Sequence, residues 1–209
     1  MDYFKSIPWC AAILEKTGIV TFTPTCRLQE DANGYCPTQD QFFRKSLRND
    51  DAIPNCVGFY QDPFSKTTSS PPSGSALRLL VNSSTLIFDL RPGINGFNGS
   101  AHGGLISALM DEAMGSMIFV NHEVYKDVEA RKVTTPPNVM NLHGIAMFTA
   151  SMNVRFQKPL ATPHIVLVTA TLNRIEGRKV FIDVTVKNEN GVRFATCDGM
   201  WISVPKEKL

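Results

Sequence analysis

The sequence predicts an α+β fold, with one curved antiparallel sheet wrapped around a single long, buried helix. Three observations carry this reading. Leu105, Ile106, Leu109, Met110, Met114, Met117, Ile118 and Phe119 make one helical stretch apolar on nearly every side, which marks a helix enclosed by protein. The last third of the chain is strand-like throughout, and Val180, Ile182, Val184 and Val186 alternate cleanly onto one face. Tight turn signals, Glu176-Gly177 and Asn190-Gly191, join those strands as hairpins. A sheet with one apolar face and a helix apolar all round bury each other as two layers.

The elements follow in order. Residues 1–75 hold four of the five cysteines and many prolines, and they end in Ser69-Ser70-Pro71-Pro72-Ser73-Gly74-Ser75, a linker or loop. Residues 9–16 and 39–49 read as short helices. Trp9, Phe22, Phe42, Phe43, Phe59 and Tyr60 are too many aromatics for a disordered arm. The division is therefore an extension over 1–75, packed on the core or acting as a lid, and a main domain over 76–209. In that domain 77–81 and 85–90 are expected strands, and 95–100, rich in Asn and Gly, a loop. The helix runs from His102 to about His122, and 123–144 is its end followed by a loop containing Thr134-Thr135-Pro136-Pro137-Asn138. Strands are expected at 147–158, 165–175, 180–187 and 194–204.

Composition narrows the function. The 209 residues carry a net charge of +2 with no Lys/Arg block, which points away from nucleic acid and anionic membranes. No apolar run reaches the ~18 residues of a membrane span. Met1-Asp2-Tyr3-Phe4-Lys5-Ser6 lacks a secretory pattern, so a cytoplasmic protein is expected. Cys10, Cys26, Cys36, Cys56 and Cys197 are odd in number and form no Cys-x-x-Cys. His102, His122, His143 and His164 are widely spaced. Neither a metal nor a cofactor is expected. No Gly-x-Ser-x-Gly elbow is found, which disfavours an α/β-hydrolase.

The chemistry concentrates at His102-Gly103-Gly104 and Asp111. Two glycines at a helix start are poor helix formers, but they leave backbone N–H groups open to a ligand. The helix dipole favours negative charge there, so the site suits an oxyanion or a polarised carbonyl. Asp111, among Leu109, Met110, Ala113 and Met114, is a carboxylate in apolar surroundings, which is costly unless used. His102 also reads as a residue that fixes the loop by hydrogen bonding. The glycines also read as a close-packing device, and Glu112 as a residue facing a polar interface or loop.

The order strand, Gly-rich loop, His-Gly-Gly helix with an Asp, then four antiparallel strands resembles the hotdog fold. The motifs resemble those of acyl-CoA thioesterases of the phenylacetate-degradation and thioesterase-superfamily-member type. Asp111 falls nine residues after His102, Ala150-Ser151-Met152-Asn153-Val154-Arg155-Phe156-Gln157-Lys158-Pro159-Leu160 is similar to the third-strand signature, and Glu176-Gly177-Arg178-Lys179 to the next hairpin. The similarity covers about 76–205. It implies that Asp111 activates water or attacks the thioester carbonyl, that the Gly103 amide binds the carbonyl oxygen, and that Thr149 orients the water. It also implies that Arg178 and Lys179 contact the phosphates of coenzyme A. Relatives often carry an Asn six residues before the motif His. That position is Gly96 here, and Asn95 or Asn98 is expected to substitute, with Gly104 beside them in substrate binding.

Asp111 lies eight residues beyond Gly103, about 12 Å along a helix rising 1.5 Å per residue. If both act on one thioester, the second group comes from another subunit, with two equivalent sites in a homodimer or tetramer. The expected reaction is hydrolysis of an acyl thioester borne by coenzyme A or an acyl-carrier protein. The alternatives are a hotdog dehydratase or tailoring enzyme on a polyketide-like intermediate, and a non-catalytic acyl-binding protein.

Overall fold

The computed structural model describes residues 2–28, 40–65, 76–135 and 138–208. The Ser/Pro-rich run at 69–75, Cys36, Gln39 and Pro136-Pro137 lie outside the described residues. Seven strands form one antiparallel sheet in the order β1-β2-β3-β7-β8-β9-β6. They are β1 (Ile19–Phe22), β2 (Cys56–Gln61), β3 (Ser83–Leu90), β6 (Ile145–Phe156), β7 (His164–Glu176), β8 (Lys179–Lys187) and β9 (Arg193–Pro205). Two short strands, β4 (Asn95–Phe97) and β5 (Ser100–Ala101), make a separate hairpin before the central helix α3 (Gly103–Ala130). The architecture is that of a hotdog, α+β, with the sheet curled about α3.

The binary pattern explains the layers. Val180, Ile182, Val184 and Val186 of β8 are buried against α3, as are Leu86, Phe88 and Leu90 of β3. Ile87, the alternate residue of β3, faces the other way. It packs with Phe4, Cys10 and Leu14 from two short helices, α1 (Asp2–Lys5) and α2 (Pro8–Leu14). A strand covered on both faces reads as a continuous apolar run. Gly199 of β9 lets α3 approach closely, since a Cβ there would sit 2.3 Å from the Met114 sulfur. The turns at Gly177 and Gly191 take φ of 57° and 76°, where glycine is unstrained.

Several sequence expectations are corrected. The sheet does not begin with the main domain, because β1 and β2 come from the first 75 residues and pair with each other and with β3. Residues 77–81 do not form a strand. Only Arg78 makes a bridge, to Val139, while Leu79, Leu80 and Val81 are buried. Asn121 of α3 serves Val81 instead, accepting from its N–H at 2.8 Å and donating to its carbonyl at 2.9 Å, so apolar residues are buried without a ladder. The helix also runs eight residues past His122. Val128 keeps it on the core, at 3% exposure, and Glu123–Lys126 and Asp127–Arg131 pairs line its outer face. It stops where Lys132 turns to φ 54°. At 39–49 the described part is a single wide turn, Phe42–Ser46, rather than an ordinary helix. By length and composition α3 could cross a bilayer, contrary to the sequence expectation, but most of its apolar window is buried in the fold.

Candidate active site

The start of α3 is built by His102. It takes an extended N-cap conformation, and its Nδ1 accepts the Gly104 N–H at 2.9 Å, as N-capping side chains do. Its own N–H donates to the Ile94 carbonyl at 3.0 Å. His102 thus fixes the helix start, and the Gly104 amide is engaged rather than open. The Gly103 amide finds no acceptor among the described residues. A Cβ on Gly103 would lie 3.3 Å from the Phe156 ring, so the glycine keeps the approach to that amide narrow but passable.

Asp111 sits two turns further along. Thr149 Oγ1 donates to its Oδ1 at 2.7 Å. Thr149 is on β6, where the pairing with β9 slips by one residue between Thr149 and Ser151. Such a bulge re-aims a side chain, here toward the helix. Asp111 is half-buried and opens on a cleft of about 500 Å³ with Gly115, Met147 and Trp201. The expectation of an acid enclosed by apolar residues is therefore corrected within one protomer. Leu109, Met110, Ala113 and Met114 turn to the sheet, and Asp111 lies on the helix face toward the edge strand.

The enclosed carboxyl is its neighbour Glu112. Burial, with Asp40 and Asp111 adding repulsion, pushes it up to about 7 against the opposing pull of Cys26 and Arg27. Its Oε1 is buried without a hydrogen-bond partner. Sequence reasoning placed Glu112 at a polar interface or loop. What encloses it is the 3₁₀ turn Thr25–Arg27, which nothing local in the sequence ties to α3.

The other expected site residues divide. Asn95 is close to the helix start and lines a groove of about 370 Å³ with Phe42, Leu47, His102 and Gly104, its Oδ1 accepting from Thr162 Oγ1 at 2.5 Å. Asn98 is in the exposed turn between β4 and β5, outside that groove. The missing Asn at position 96 has a steric reason, since a Cβ there would meet His102 Cδ2 at 2.4 Å and its Cα at 2.8 Å. Arg178 is in the β7–β8 turn and Lys179 opens β8, and the Arg178 carbonyl accepts from the Ser203 N–H at 2.9 Å. Val180, Trp201 and Thr149 share one row across β8, β9 and β6. The turn thus lies at the same end of the sheet as Asp111, about 10 Å away at strand spacing.

The strand bearing Thr149 pairs only with β9 and ends the sheet. Residues 148–151 are exposed along it. Phe156 at its end is 56% exposed, and Phe97 on the nearby hairpin 81%.

Residues 98–195 match the family model of the thioesterase superfamily. Across 97% of its length the chain is 24% identical to verlamelin biosynthesis protein B of Lecanicillium sp, covering 87% of that protein. It is also 24% identical, over 58% of its length, to the acyl-coenzyme A thioesterase THEM4 of Bos taurus. The match spans about two fifths of the THEM4 chain, 41%. Among solved structures it is similar to the E. coli PaaI protein of the phenylacetic acid degradation operon. That likeness has a TM-score of 0.45 at 15% identity, over 59% of this chain and 73% of that one.

Proposed function

We propose that this protein hydrolyses acyl thioesters at sites shared between two copies of the chain. The observation that carries the reading is Asp111, bonded by Thr149 of β6 at 2.7 Å, on the same helix as the open Gly103 amide. The two groups are too far apart, about 12 Å by helical rise, to serve one carbonyl within a chain. A two-fold pairing along the free edge of β6, whose aromatics are exposed, brings Gly103 of the partner subunit toward Asp111.

The chemistry follows from the residue types. Thr149 and Asp111 hold a water, and the carboxylate takes its proton as the oxygen attacks the thioester carbon. The Gly103 amide of the partner subunit donates to the developing oxyanion at a helix start, where the dipole adds to the field. The C–S bond then breaks, and the thiolate receives a proton through Asp111 or solvent, leaving a carboxylic acid and a free thiol. Arg178 and Lys179 are assigned to the phosphates of the carrier thiol. Asn95 is assigned to the thioester end of the substrate, with Gly104 serving through shape, since His102 holds its amide.

The similarity to a biosynthesis protein extends over nearly the whole chain, including most of the first 75 residues. That extent favours a second reading, in which the thioester is a biosynthetic intermediate on a carrier protein and the domain tailors it. Thiol release from short, long and aromatic acyl-CoAs and from acyl-carrier protein separates the two. Release from acyl-CoA that disappears in Asp111→Asn supports hydrolysis. Conversion without freed thiol supports tailoring, and undiminished hydrolysis by the variant refutes the assignment of Asp111.

A further inference from the structure

The cleft beside Asp111 continues past the reaction centre. It follows α3 past Ile118, Phe119, Ile145, Met147 and Trp201, interleaved with the polar Thr25, Asp40, Glu112 and Ser116, and it also takes in His122, Lys126 and Lys206. Helical rise sets His122 about 16 Å and Lys126 about 22 Å beyond Asp111. Strand rise sets Lys206 about 16 Å beyond Trp201, the residue opposite Thr149. The two measures agree, and His122 senses both lysines. Its burial and then their charges lower its affinity for a proton. Lys126 rides on the helical turns beyond the expected helix end, and Lys206 opens the last 3₁₀ turn. Hydrolysis as drawn above uses neither.

Glu123 also lines the cleft and pairs with Lys126 at 2.7 Å. Both side chains are at least half exposed, so the pair is weak and gives way to a competing anion. A cleft of mixed lining that leads from the Asp111 carboxylate to two lysines beside a histidine fits a long substrate with an anionic end.

We propose that Lys126 and Lys206, beside His122, bind an anionic group of the substrate roughly 16–22 Å from the thioester carbonyl. The inference rests on the hydrolase reading. An anion at this span comes either from a phosphate of coenzyme A beyond those that Arg178 and Lys179 hold or from a terminal carboxylate on a long acyl chain.

The test is the double variant Lys126→Gln/Lys206→Gln, which changes two exposed side chains. Thiol release is followed from dodecanoyl-CoA, dodecanedioyl-CoA and the same acyl groups on N-acetylcysteamine, which has no phosphate. A phosphate source predicts a loss of roughly tenfold in kcat/KM on both coenzyme A substrates and none on the other two. A carboxylate source predicts that loss on both dodecanedioyl substrates and none on the dodecanoyl ones. Equal rates for variant and wild type, or a uniform loss on all four, overturn the proposal. If the wild type frees no thiol from any substrate, the hydrolase reading fails on its own. Calorimetric binding of desulfo-coenzyme A and of dodecanedioate then decides. Weakened binding of either by the double variant supports the anion site, and unchanged affinity for both overturns it.

Discussion

Asp111 and Glu112 are neighbours on one helix, yet the fold treats them in opposite ways. Asp111 takes a hydroxyl hydrogen bond at the edge of a cleft, a fit for a base that must meet water. Asp111→Asn is expected to lower kcat by on the order of a thousandfold while leaving the melting temperature within a few degrees. Thr149→Val, which removes only the orienting hydroxyl, is expected to cost roughly tenfold in kcat. Both are read by thiol release and thermal unfolding, and a Thr149 variant with full activity removes that residue from the mechanism. Glu112, raised from 4.5 to about 7, holds its proton more tightly folded than unfolded. Its contribution is therefore full below the unfolded value and is lost as pH rises through about 7. The loss is on the order of 3 kcal/mol between pH 5 and 8. Glu112→Gln is expected to flatten that fall, measured by urea unfolding at the two pH values, and an unchanged pH dependence refutes it.

At the scale of elements, α3 is held by contacts from segments remote in sequence. Asn121 occupies the two backbone groups of Val81, so Asn121→Leu leaves both buried and unpaired. A loss of about 2–4 kcal/mol is expected in chemical denaturation, and a loss below 1 kcal/mol means that water takes over both bonds. Placing an Asn six residues before His102, as Gly96→Asn, pushes His102 from its capping position. It is expected to lower activity and stability together, by about 1 kcal/mol for the cap, rather than improve catalysis. The bulge between Thr149 and Ser151 is the corresponding device on the strand side, aiming the Thr149 hydroxyl at Asp111.

For the whole molecule, the proposal of a shared site has a direct test. Gly103 is the first residue of α3, where proline is tolerated because its missing N–H has no partner in the helix. The extended backbone of His102 suits a residue before proline. Gly103→Pro thus keeps the helix while it deletes the amide donor and narrows the approach beside Phe156. Alone it is expected to lose activity by about a hundredfold or more. When it is mixed with Asp111→Asn after unfolding and refolding together, half of the dimers carry one intact site. Activity returns to roughly a quarter of the wild type. No recovery on mixing means that the two groups do not meet across subunits.

The layers are legible in the residues alone, and so is the position of the candidate acid. Alternation in β8 and the all-round apolar face of α3 are local patterns that have one economical burial, helix inside sheet. The spacing of His102, Gly103 and Asp111 is covalent, so their separation was legible without coordinates. Tertiary structure alone decided which carboxyl is enclosed. That depends on the turn at Cys26 and Arg27 packing against α3 from some 85 residues away and on β6 being an edge strand. It also decided that the first 75 residues complete the sheet. β1 and β2 gain their apolar neighbours only by pairing, and such pairing over long chain separations leaves no periodic trace in the residues themselves.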